Sequence, residues 1–186
     1  NPTPSDMYLG RAEELYRQDR LAPDRRTVSS MTADIAEDET YHGTIWGEGR
    51  VIKAGTGNLT LCGNQKYTGG TEVKEGNLYL ATRDNGGAAS VLGDVVVDAG
   101  AGFGGTGIVQ GSVCGDGELI LSAGDSLRVH GGIASQLKLR VQREEQLQTG
   151  QVLLTVQRGI PEELAGRTVG QHRLQLNQDH TQLVVE

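Results

Sequence analysis

The sequence predicts an all-β fold, a parallel β-helix or solenoid, and three observations carry that expectation. The first is alternation. Short runs such as "NLTL" (58–61), "NLYL" (77–80), "DVVV" (94–97), "ELIL" (118–121), "SLRV" (126–129) and "QLKLRV" (136–141) place apolar residues at every second position. A strand with that pattern has one apolar and one polar face. The second is glycine: 28 of 186 residues, about twice the average share. Many fall between the runs, in "AGTG", "YTGGT", "KEG", "DAGAGFGGTG", "GDG", "SAGD" and "HGG". Glycine takes positive φ without steric cost, so these stretches read as corners. The third is the scarcity of rings, with aromatics at 4% and a single Trp and Phe. A sandwich or barrel also has many short strands, but it usually pairs them as hairpins around several large aromatics. Here the candidate core is aliphatic. Its leucine pairs recur at about 17–24 residues, which suits one coil of a three-sided solenoid.

Taken in order, the chain divides into three parts. Residues 1–41 are dense in charge and poor in glycine. In "SDMYLGRAEELYRQDR", Ser5 or Asp6 serves as N-cap, and Met7, Leu9, Leu15 and Tyr16 follow among charged residues. This predicts a short helix around 7–20, weakened by Gly10, then an irregular stretch past Pro23 to about Asp38. The segment reads as a helical or irregular cap or linker. Residues 42–135 read as solenoid, with Leu59, Leu61, Leu78, Leu80, Val95, Val97, Leu119 and Leu121 buried. Tyr67 and Thr71, within "GNQKYTGGTEV" (63–73), read as closing a corner. Residues 136–186 read as further coils, with apolar alternation in "QLKLRVQ", "QVLLTVQ", "HRLQL" and "QLVV". Between them "GIPEELAGRTVG" (159–170), with Pro161 and two acidic residues, reads as a protruding loop.

Composition also limits function. A net charge of −7 and a pI of about 5.1 repel phosphate backbones, so nucleic acid is not an expected partner. No stretch reaches the ~20 apolar residues of a membrane helix, and no signal peptide opens the chain. The start, "NPTPSDMYLG" without Met, reads as that of an excised piece. Cys62 and Cys114 admit a disulfide, but each ends an apolar strand, and two small buried thiols is the favoured reading.

Motifs that suggest chemistry lack its context. "GDSL" (124–127) names a group of serine esterases in which the serine pairs with a later Asp-x-x-His. Here Asp179 and His180 are adjacent, and Ser126 lies amid alternating residues, so it reads as a corner. Gly100, Gly102 and Gly105 spell G-x-G-x-x-G, but the β-like "TGIVQGSV" follows instead of a helix, so this reads as a turn. His42, His130, His172 and His180 show no ligand spacing. The acidic run "DIAEDET" (34–40) reads as a solvated face. The expectation is no catalytic, cofactor-binding or metal-binding residue, and no cofactor.

One stretch supports a resemblance. "GTGNLTLCGNQKYTGGTEVKEGNLYL" (55–80) resembles the autotransporter-associated β-strand repeat. The positions that carry the likeness are Gly55, Gly57, Leu59, Leu61, Gly63, Tyr67, Gly69, Gly70, Thr71, Val73, Gly76, Leu78 and Leu80; Asn64 is displaced by one residue. "LGDVVVDAGAGFGGTGIVQGSV" (92–113) and "SAGDSLRVHGG" (122–132) are similar to the segments that follow, with Ala123 in place of a proline. The resemblance implies a right-handed parallel β-helix from the passenger of a type V autotransporter. Residues 136–186 resemble, loosely, the autochaperone coils of such passengers. It further implies a non-catalytic stem or adhesive segment, shown at the bacterial cell surface or secreted through the outer membrane. The expected partner is the passenger's own C-terminal β-barrel translocator, which this sequence does not contain. A host surface or another passenger are further expected partners. Two alternatives remain: a stem behind an N-terminal effector such as a subtilisin-like protease, and a carbohydrate-active β-helix enzyme.

Overall fold

The computed structural model describes residues 30–186, and within them the chain is a β-solenoid. Successive strands fall on three faces. The first face stacks Ser30–Asp34, Arg50–Ala54, Thr71–Val73, Val95–Val97 and Val113–Cys114. The second stacks six strands: Glu39–Tyr41, Asn58–Cys62, Asn77–Ala81, Gly102–Gly105, Glu118–Ser122 and Lys138–Gln142. The third begins with the pair Trp46–Gly47 and Lys66–Tyr67 and continues through Ser90–Val91, Gly107–Val109, Leu127–Val129 and Val152–Val156. A bridge between Asn64 and Ser90 joins its two parts. All these neighbours run parallel.

Register turns the alternation into ladders. Leu59, Leu78, Phe103, Leu119 and Leu139 stand one above another on the second face. Val51, Thr71, Val95 and Val113 do the same on the first. The eight positions expected in the core are all buried, none more than 2% exposed. Fully burying one such side chain contributes about 1.5–3 kcal/mol.

Three expectations need correction. First, the solenoid already includes Ser30–Tyr41 and does not start at residue 42, because Ser30–Asp34 pairs in parallel with Arg50–Ala54, Glu39–Tyr41 pairs in parallel with Asn58–Cys62, and Met31, Ala33 and Ile35 are buried. The acidic residues interleaved with and following these disguised the alternation. The expected helix at 7–20 lies outside the described residues. Second, "GFGG" (102–105) is a buried strand of the second face, not a turn. A Cβ on Gly102 or Gly104 would collide with Ile120 of the next coil. The side-chain-free strip lets Ile120 lie flat on the outer side of the sheet, where it is only 1% exposed.

Third, the parallel ladder does not continue to the C-terminus. Val152–Val156 pairs antiparallel with Gln182–Val185, which pairs antiparallel with His172–Leu176, and Thr168–Val169 closes the edge. The stretch 159–170 is not a protruding loop. It holds a short 3-10 turn, Glu162–Leu164, and buries Ile160, Leu164 and Val169 against the end of the core.

The ladder makes a contrast measurable by denaturant unfolding. Leu78→Ala, with Leu59 and Phe103 on either side, is expected to cost about 3 kcal/mol. Thr60→Ala, on the outward face of the same sheet, should stay within about 0.5 kcal/mol.

Candidate functional site

The corner at 63–73 is where the sequence is most specialised. Three of its side chains and one glycine carry its structure. Gln65 is fully buried and acts as an internal staple: its Oε1 accepts from the Ile45 N–H at 2.7 Å, and its Nε2 donates to the carbonyls of Gly43 and Cys62, both at 3.2 Å. It thereby ties one coil to the coil before it. Tyr67, also fully buried, is hydrogen-bonded through its hydroxyl to that of Thr71 at 2.6 Å. Burial pushes the Tyr67 phenol well above its ordinary range, against a smaller opposing effect of the Thr71 bond. Gly69 follows because the chain passes directly over Gly49, whose backbone a Cβ would strike.

A second corner buries a charge. Lys53 faces inward in the ladder of Ala33, Lys53, Val73 and Val97 and is fully buried. Its Nζ donates to the carbonyls of Ala54 at 2.9 Å, Gly55 at 2.6 Å and Glu75 at 2.9 Å. Desolvation lowers its pKa, while Glu75 and Asp34 oppose that shift. Beside it, the Asn77 amide donates to the Asn58 side-chain oxygen at 3.0 Å, and the Asn58 N–H donates to Asp38 at 2.9 Å. This polar ladder climbs three coils at one corner. On the first face, Arg50 pairs with Glu72 at 3.3 Å. Partial burial raises the neighbouring Asp98, as do the Glu72 charge and a hydrogen bond to it, with Lys74 opposing.

The motifs singled out from the sequence remain scattered. Ser126 sits at a corner, its N–H donating to the Thr106 hydroxyl at 3.2 Å, and it does not line the cleft that holds Asp179 and His180. His130 contacts Gln110 at 2.9 Å, His172 the Glu186 carbonyl at 3.3 Å, and His180 the Glu162 carboxylate at 3.7 Å. Asp38, from the acidic run, is used by Asn58. Among the described residues, no group of three or more His, Cys, Asp or Glu is arranged to hold a metal. Both cysteines are free; Cys62 is buried and Cys114 half-buried, and burial pushes both thiols up. Sequence reasoning missed Lys53 and Gln65, since neither residue type signals burial.

This architecture is a stack of parallel coils whose corners are built from a recurring polar and glycine vocabulary, the design of a repeat solenoid. Residues 51–80 match the passenger-associated-transport-repeat family, and this region is an autotransporter passenger repeat. Over 74 residues the chain is 38% identical to the Adhesin BmaC autotransporter of Brucella suis biovar 1 (strain 1330), a match covering 40% of this chain and 2% of that protein. The chain thus spans only a small part of the relative it matches. No solved structure matches it.

Two substitutions test the corners. Tyr67→Phe leaves the buried Thr71 hydroxyl without its partner and should lower unfolding free energy by about 1–2 kcal/mol. Tyr67→Ala also empties the ring's space and should cost about 3–5 kcal/mol. For Lys53 the sign follows from its lowered folded pKa. Between that value and the unfolded one of about 10.4, the unfolded chain binds more protons, so stability rises with pH. Lys53→Met should abolish that rise in pH-dependent unfolding curves. At neutral pH it should cost about 1–3 kcal/mol, because the corner carbonyls lose their shared donor.

Proposed function

We propose that this chain is a non-catalytic stem segment of a secreted autotransporter passenger, held at the bacterial surface by a C-terminal β-barrel translocator. The observation that carries the reading is the asymmetry of the solenoid's C-terminal end. Parallel coils with interchangeable inward positions run up to Val156, and the antiparallel strands beyond it close the core with Leu174, Leu183 and Val185, all fully buried. Continuous parallel ladders are stiff along their axis, as a stem requires. A closed end is stable without a further coil to stack upon, and it offers a template on which preceding coils add one at a time. The C-terminal unit is in this reading an autochaperone. An adhesive role is the second reading, and it is favoured by the name of the Brucella relative.

Hydrogen exchange by residue over the whole chain tests the folding role. Slowest exchange is expected at 138–142, 152–156, 172–176 and 182–185, with the coils before residue 114 opening first. If the C-terminal strands exchange first while residues 44–132 remain protected, the template assignment fails.

A further inference from the structure

Where the last parallel coil meets the closing hairpin there is an open cleft of about 670 Å³. Its floor is aliphatic and low: Ile133, Ile160 and Pro161 line it, with Gly132 and Gly159 contributing backbone alone. Its rim is polar and carries both kinds of hydrogen-bonding group. Arg158 and His180 supply donors, Asp179 supplies acceptors, and the Gln178 amide supplies one of each. Among the described residues, the side chains of Arg158, Gln178 and Asp179 have no hydrogen-bond or ion-pair partner, so their capacity is unspent.

The rim is also held in place. His180 takes a left-handed backbone, φ 56, one of two non-glycine residues to do so among those described. Asn177 fixes that turn. Its carbonyl accepts from the His180 N–H at 3.0 Å, and its Oδ1 accepts from the N–H groups of Thr181 at 2.8 Å and Gln182 at 2.9 Å. The His180 carbonyl in turn accepts from the Ile160 N–H at 2.7 Å, which ties rim to floor. A non-glycine residue kept at such a backbone position points to a use for its side chain.

We propose that this cleft is a saccharide-binding site. Sugar hydroxyls donate and accept at once, which matches a rim holding guanidinium, carboxylate and amide together. The C–H face of a pyranose matches a small aliphatic floor bare of side chains at two positions. A simple anion fits less well, because Asp179 lines the cleft and Glu162 faces His180. This inference is independent of the stem reading and stands or falls without it.

The test is an NMR titration of the 186-residue chain with lactose, galacturonic acid and inorganic phosphate in separate arms. At least one sugar is expected to cause saturable shifts confined to residues 132–133, 158–161 and 178–180, with Kd on the order of 1 mM. Arg158→Ala and Asp179→Ala should each weaken binding by about tenfold or more, with melting unchanged. Gly132→Leu, placed where a Cβ meets only Arg158 Cβ at 3.8 Å, should fill the floor and abolish binding. No saturable shift from either sugar, sugar binding unaffected by all three variants, or phosphate binding as tightly as the sugars would overturn the proposal.

Discussion

The constraint on which this molecule depends is in-register parallel stacking. Each coil's backbone groups are satisfied by the coils on either side, so a strand is useful only if its inward residues stand over those of its neighbour. Leu59, Leu78, Phe103, Leu119 and Leu139 do so on the second face. A slip of one residue would turn that whole ladder to solvent. The corners must therefore return the chain to the same register every time, although the coils differ in length. Gln65 and Lys53 meet this need by measuring one coil against another with side-chain hydrogen bonds. Lys53 shows how strong the requirement is. A charge at a core position is costly unless hydrogen-bonded, and three carbonyls from two consecutive corners hold this one.

Stacking also creates an exposed edge wherever it stops, and such edges invite pairing with other chains. At the C-terminal end the fold answers by changing direction. Gln182–Val185 pairs antiparallel against the final strand of the third face, and the sheet ends in the two-residue strand Thr168–Val169. On the second face, Arg167 donates to the carbonyl of Leu139, so the terminal strand does not present that acceptor to solvent. Arg143, held in a left-handed conformation, donates to the buried Ser122 hydroxyl at 2.8 Å and covers the neighbouring corner. Closure thus combines strand pairing with two arginines that occupy polar groups at the edge.

The interior ladder was legible in the sequence because leucine and valine at alternate positions have one common explanation. Less legible were the places where outward residues govern packing. Glycine in "GFGG" suggested corners, yet the strand exists because its missing side chains make room for Ile120 across the outer surface. In the first described coil, Met31, Ala33 and Ile35 alternate as the later strands do, but Asp34, Glu37, Asp38 and Glu39 made the region look irregular. The buried lysine and glutamine left no signal, because their types are common on surfaces and their partners are backbone carbonyls. The antiparallel closure was hidden for another reason: period-two alternation does not distinguish parallel from antiparallel pairing.

The same constraint determines where binding chemistry can reside. Inward positions are committed to the ladder, and outward positions on a flat face stand side by side, so they pair with neighbours, as Arg50 does with Glu72, without enclosing a cavity. Concave sites form only where the coil pattern breaks, at long corners or at an end. Among the described residues one such break is at the closing hairpin, and there Arg158, Gln178, Asp179 and His180 meet over a low floor. His180 and Asp179 look unremarkable in sequence, being adjacent and without ligand spacing. Their position follows from the turn that Asn177 fixes, and that turn exists because the solenoid has to end. Closure of the stack and creation of the cleft are thus two consequences of one change in strand direction.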